Sequence, residues 1–143
     1  MALALDEALG FAREHDRGVL ATLRADGRPQ LSNIIYVPGD GPTFRISVTD
    51  SRAKTRNLRR DPRASLHVTR DDFYAYAVLE GTVALSAVAT DPHDEVVGQL
   101  VETYRAARGE HPDWAEFRRV MVEEGRVQAT LHVERAYGML SLP

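Results

Sequence analysis

The sequence predicts a mainly β fold, a small closed or partly closed barrel of about six mostly antiparallel strands with helices on its outside. Three observations lead there. Short alternating runs are joined by compact turns, so consecutive strands are expected to pair as hairpins. Strands and helices do not take turns along the chain, which argues against a doubly wound sheet. Gly81 interrupts a long strand-like run, as a glycine does at a bulge or a barrel corner. With 143 residues and no linker, repeat or low-complexity stretch, the chain is expected to form one domain over 1–143.

Taken in order, Leu3 to His15 reads as a short helix closed by His15-Asp16-Arg17, with Gly18 at the C-cap position. Gly18 to Leu23 reads as a strand, Ala25-Asp26-Gly27 as a hairpin turn, and Gln30 to Val37 as the returning partner. After the turn Pro38-Gly39-Asp40-Gly41-Pro42, the run Thr43 to Thr49 alternates. Phe44, Ile46 and Val48 face one way, and Arg45, Ser47 and Thr49 the other. Ser51 is placed to cap a helix from Arg52 to about Arg60, which Asp61-Pro62 ends.

Ala64 to Thr69 and Tyr74 to Ala87 read as two further strands joined by Arg70-Asp71-Asp72. Asp91-Pro92 offers a cap and a first helical position, with Val96, Val97, Leu100, Val101 and Tyr104 on one face and Gly109 at the end. A second helix from Asp113 to Glu124 turns Trp114, Phe117, Val120 and Met121 inward. The last strand runs from Arg126 to Ala136, with Val127, Ala129, Leu131 and Val133 alternating against Gln128, Thr130, His132 and Glu134.

Charge is distributed unevenly. The segment Arg52 to Arg63 holds six basic side chains and one acid, a local charge of +5, while the remainder carries −8. Lys54, in this segment, is the one lysine of the chain. Such an asymmetry points to an anionic ligand. The Thr49 and Ser51 hydroxyls, the Arg52 guanidinium and the Lys54 ammonium are the donor types that a phosphate takes. The acidic remainder and the lack of an aromatic stacking platform argue against nucleic acid.

Several chemistries are excluded or unsupported. With no cysteine there are no disulfides, thiolate metal sites or cysteine nucleophiles. The five histidines are scattered, without metal-ligand spacing, so no metal is expected. No dinucleotide fingerprint, Walker loop or nucleophile elbow is present, and no catalytic acid or base stands out. Any reaction is expected to rest on a cofactor that the protein positions. The amino terminus lacks the basic flank and long apolar run of a secretory signal, and no stretch spans a membrane, so a cytoplasmic location is expected.

Five motifs, in this order, resemble the pyridoxamine 5′-phosphate oxidase-like split β-barrel superfamily. They are Gly18-Val19-Leu20-Ala21-Thr22-Leu23, Asp26-Gly27-Arg28-Pro29-Gln30, Ser47-Val48-Thr49, the run from Ser51-Arg52-Ala53-Lys54 through Asn57-Leu58 to Asp61-Pro62-Arg63-Ala64, and Glu80-Gly81-Thr82-Val83. The resemblance covers the chain from about Gly18 onward and is nearest to the deazaflavin (coenzyme F420)-dependent reductases. It implies that Thr49, Ser51, Arg52 and Lys54 hold the cofactor phosphate, with Ser47 and Asn57 in the same motifs. It also implies that Leu31 to Ile35 run beside the ring, where Ser32, Asn33 and Ile34 would contact it.

A homodimer with the cofactor in a cleft between subunits is implied as well, Tyr74 and Tyr76 being candidates for the partner's wall. The tail Tyr137 to Pro143 has no arginine. The oxidases that make pyridoxal phosphate carry an arginine-containing signature there, so the resemblance does not extend to that activity. The expected cofactor is coenzyme F420, with FMN as the alternative. Arg56, Arg59, Arg60 and Arg63 exceed the needs of one phosphate and would offset a polyglutamate tail. The expected activity is hydride transfer to an unsaturated small organic substrate. The rivals are an FMN oxidase or reductase and a non-enzymatic cofactor- or pigment-binding protein.

Overall fold

Alternation of apolar and polar residues governs the strands as expected, and the strands form one curled antiparallel sheet. The structure, a computed structural model, describes residues 2–141. Its elements are β1 (Ala2–Leu3), α1 (Leu5–Arg13), β2 (Arg17–Leu23), β3 (Pro29–Ile35), β4 (Val37–Pro38), β5 (Thr43–Thr49), α2 (Ala53–Arg60), β6 (Arg63–Thr69), β7 (Tyr76–Leu85), α3 (Glu95–Arg108), α4 (Trp114–Glu123) and β8 (Arg126–Met139). Six strands are long, and β1 and β4 are two-residue pieces.

The strand order is β3-β2-β6-β7-β8-β5-β4, every neighbouring pair is antiparallel, and β1 adds to β8. The two ends of this path, β3 and β4, are separated in the chain by Tyr36 alone. The sheet therefore curls back on itself until its edges meet at one residue, leaving a seam between β3 and the β4–β5 hairpin. Tyr36 holds that seam: it is 1% exposed, its hydroxyl donates to the Ala12 carbonyl at 2.7 Å, and its N–H donates to Asp16. Burial, with the Asp16 charge adding, pushes its phenol well above the usual value.

Inward-facing Leu20, Phe44, Ile46, Val48, Leu66, Val68, Leu79, Val127, Ala129 and Leu131 fill the barrel with α1 packed at one side. Close approach of a neighbouring strand requires glycine at Gly18, Gly81 and Gly138. At Gly81 the register with β8 shifts by one residue, and a Cβ would collide with the His132 carbonyl. This is the bulge that the sequence marks. Gly18 is not a helix cap. It lies inside β2, where a Cβ would stand 2.5 Å from the His67 carbonyl oxygen on β6. The helix before it ends at Glu14 instead.

Further expectations shift. Ser51 does not cap α2, whose N-cap position is Arg52 with no side-chain cap. Asp91 does not open α3. The cap is Asp94, whose carboxylate accepts from the N–H groups of Thr90, Asp91 and Val97, so the helix starts about one turn later. Asp91 and Pro92 form the preceding turn. α3 and α4 build a second small core around Val97, Leu100, Val101, Phe117 and Met121. They dock on β8 through a buried pair, Gln128 Nε2 donating to Thr103 Oγ1 at 2.8 Å. Gln128, expected on a polar face, is thus 5% exposed because a helix covers it. β8 also runs three residues further than expected, to Met139, where it pairs with the start of β7.

Candidate functional site

The corner that the basic segment occupies is built by two strand ends. β5 ends at Thr49, paired with Arg126 at the beginning of β8, and the Asp50 N–H donates to the Gly125 carbonyl at 2.9 Å. The Thr49 carbonyl then accepts from the Thr55 hydroxyl at 2.7 Å and from the Arg52 N–H, fixing the first turn of α2 against β5. Because α2 has no side-chain cap, amides of its first turn are left for an outside acceptor. Lys54 lies in that turn. Burial first, then the guanidiniums of Arg52 and Arg126, hold its ammonium below the usual lysine range. No carboxylate among the described residues pairs with it.

Lys54 opens into a cleft of about 990 Å³, at the upper end of small-molecule sites. One side is formed by Asn33, Ile34 and Ile35 of β3 with Gly18 and Val19 of β2 and His67 and Thr69 of β6. Across the seam stand Val37, Ile46 and Ser47, and the helix pair contributes Leu100, Tyr104, Phe117 and Met121. The charged lining is Arg17, Lys54, Arg108 and Arg126; Arg17 pairs with Asp16 at 3.2 Å and Arg126 with Glu124 at 2.9 Å, while Lys54 and Arg108 have no acidic partner among the described residues. A concave, largely apolar space with unpaired positive groups favours an anionic ligand.

Of the residues expected at the site, Asn33, Ile34, Ser47 and Lys54 line this cleft. Thr49, Ser51 and Arg52 lie at the β5–α2 junction beside it and are not among its lining residues. Ser32 alternates away from Asn33 on β3, and Tyr76 lies behind His67, with ring centroids 5.6 Å apart. Asn57 has a different task. It is 7% exposed, its amide donates to Thr22 Oγ1 at 3.1 Å, and its Oδ1 accepts from Arg60. Asn57 therefore ties α2 to β2, outside the cleft. Asn57→Ala is expected to lower stability by about 1–3 kcal/mol, because Thr22 loses a buried partner. Ligand affinity of the folded fraction should stay unchanged, which a urea titration beside a binding isotherm would read.

The arginines expected to serve a long anionic tail are mostly engaged within the fold. Arg59 pairs with Asp50 at 2.6 Å, Arg63 with Asp61 at 2.8 Å, and Arg60 donates to the Leu23 carbonyl at 2.7 Å. Only Arg56 of those four has no protein partner among the described residues. Arg126, which no local motif marks, lies in the cleft lining beside Lys54. Its guanidinium reaches Ser47 Oγ at 3.4 Å while pairing with Glu124 at 2.9 Å. Arg126 is 72 positions from Lys54 and belongs to no local motif, so only strand pairing reveals it. His67 was missed for the same reason. Among the described residues no group of three or more His, Asp or Glu side chains is placed to hold a metal ion, and no helix is long and apolar enough to cross a membrane.

A curled antiparallel sheet split along one seam, with a helix pair beside the opening, is a split β-barrel. The chain belongs to the pyridoxamine 5′-phosphate oxidase family, whose family model matches residues 4–137. Solved structures agree on the fold. A conserved hypothetical protein from Mycobacterium tuberculosis matches with a TM-score of 0.72 at 22% identity, over 98% of this chain and 86% of that one. A protein described as an F420 reductase matches with a TM-score of 0.62 at 24% identity, over 96% and 98% of the two chains. HutZ, described as the heme storage protein from Vibrio cholerae, matches with a TM-score of 0.68 at 16% identity, over 96% of each.

Proposed function

We propose that the cleft binds an anionic redox cofactor, coenzyme F420 in its reduced form or, as the alternative, FMN, and that the protein is an oxidoreductase acting on an unsaturated small organic substrate. The observation that carries this reading is Lys54, the one lysine of an acidic chain, lining the cleft among three arginines with no carboxylate paired to it among the described residues. When bound, the reduced cofactor would supply the hydride. Lys54, Arg126 and Ser47, with Arg52 and the first turn of α2, suit its phosphate. Asn33, on the β3 edge, suits the polar rim of a flat ring, and Val19, Ile35 and Tyr104 suit its faces. His67 and Tyr104 are the cleft groups able to give up a proton besides Lys54. The protein's contribution is then to orient the reactants and keep water out.

A second copy of the chain is part of this proposal. The row Asn33, Val19, His67, Val78 and Tyr137 crosses the outer face of four pairings, leading from the cleft to exposed surface. Nearby Leu31 (62%), Ile35 (46%), Phe73 (78%), Tyr74 (60%) and Tyr137 (40%) are exposed apolar or aromatic residues. A homodimer covering this face would close the cleft.

A second reading is haem or pigment binding without turnover. It is favoured by His67, whose ring nitrogens have no hydrogen-bond partner among the described residues while the residue lines the cleft, the state of an imidazole free to ligate iron. One experiment separates the readings. Cofactor-free protein is titrated with coenzyme F420, FMN and haemin, followed by fluorescence and absorbance, with its mass in solution measured by sedimentation. Micromolar or tighter binding of F420 by a dimer is expected. Preference for FMN selects the flavin alternative, preference for haemin selects the second reading, and binding of none rejects all of them.

A further inference from the structure

The one lysine of the chain occupies a position that favours covalent chemistry as well as charge. Lys54 opens into the cleft, and the acids flanking its corner are already engaged, Asp50 by Arg59 and Glu124 by Arg126. With no carboxylate to hold a proton on it, and with burial and two guanidiniums opposing the charge, a larger share of its amine is free near neutral pH. The free amine is the nucleophilic form. Beside it, Arg126, whose Nε and Nη2 hold Glu124 while its Nη1 side turns to Ser47, and Arg52 at the start of α2 can seat a phosphate.

We propose that Lys54 is a carbonyl-reactive amine that captures small phosphorylated aldehydes in the cleft. The phosphate would sit at Arg126, Arg52 and Ser47, and Lys54 Nζ would add to the aldehyde carbon. The Nζ lone pair forms the C–N bond, and the carbonyl oxygen takes up a proton to give a carbinolamine. Loss of water breaks the C–O bond and leaves an imine, protonated beside the phosphate. No oxidant or reductant is consumed, and water reverses the reaction. Occupied in this way, the corner is closed to any other phosphate-bearing ligand, so the modification is a reversible block of the cleft. The proposal goes beyond the redox reading and does not depend on which cofactor binds.

The test uses cofactor-free protein with D-glyceraldehyde 3-phosphate or unphosphorylated D-glyceraldehyde, trapped with sodium borohydride and mapped by peptide mass spectrometry. Expected is saturable labelling of the peptide holding Lys54, at least about tenfold stronger with the phosphorylated probe, and suppressed by excess inorganic phosphate. Lys54→Arg should remain folded by circular dichroism and unlabelled. Arg126→Gln keeps the amine, and the advantage of the phosphorylated probe should shrink toward one. Labelling confined to the amino terminus, equal labelling by both probes, or indifference to phosphate overturns the proposal. Each of these outcomes leaves binding of F420, FMN or haemin where the titration puts it, so the two ideas fail separately.

Discussion

Replacing Arg52 and Lys54 together by alanine is expected to weaken cofactor binding by about two to four orders of magnitude and to leave the fold intact. The magnitude follows from two charge-assisted hydrogen bonds to a phosphate, worth roughly 1.5–3 kcal/mol each. The sign of the stability change is the sharper part. Lys54 stands among like charges, with its ammonium disfavoured by burial, Arg52 and Arg126. A lysine whose folded pKa is lowered costs stability while it is protonated, at and below neutral pH, and that cost disappears as pH rises toward the unfolded value. Removing the pair therefore removes repulsion. The midpoint of thermal unfolding of the unliganded double variant should equal or exceed that of the parent. Added ligand should raise the midpoint of the parent and not that of the variant. A variant that is less stable without ligand, or that still binds with parental affinity, would remove these residues from the anion corner.

Gly81→Ala is the substitution expected to damage the fold most. The added Cβ meets the His132 carbonyl across the β7–β8 bulge, and both partners are backbone. A flexible side chain could swing aside, but here one of the two most heavily paired strands must move. The expected loss is about 3 kcal/mol, a fall of about 10 °C in unfolding midpoint for a domain of this size. Because β8 also carries Arg126, in the cleft lining, and Gln128, which holds the helix pair, ligand affinity should fall with stability. An alanine variant with an unchanged midpoint would mean that the bulge can relax and does not hold the strand in register.

Much of the fold was legible in the chain because it rests on local rules. Alternation over Thr43 to Thr49 put Phe44, Ile46 and Val48 inside, and they are 0%, 2% and 1% exposed. Asp26-Gly27 made its hairpin, Gly27 taking φ +88°. The basic corner was legible in part: clustering of charge marked Lys54, and the β5 alternation put Ser47 on the outward face.

Other assignments needed distances between residues far apart in sequence. Asn57 has the look of a surface polar residue in a basic run, but the packing of α2 on β2 gives it a buried partner at Thr22. Charge counting could not tell that Arg59 and Arg63 would be paired with Asp50 and Asp61. Asp91-Pro92 satisfies the rules for a helix start, but Asp94 gathers three backbone donors and wins. By itself, the sequence determined the six long strands, the Asp26-Gly27 hairpin, the Gly81 bulge and the place of the positive charge, since each depends on neighbours a few residues apart. Tertiary structure alone decided that Arg126 and His67 join Lys54 in one cleft, and that Gln128 and Asn57 go inside, because pairing of β5 with β8 and of β2 with β6 joins segments that no local pattern connects.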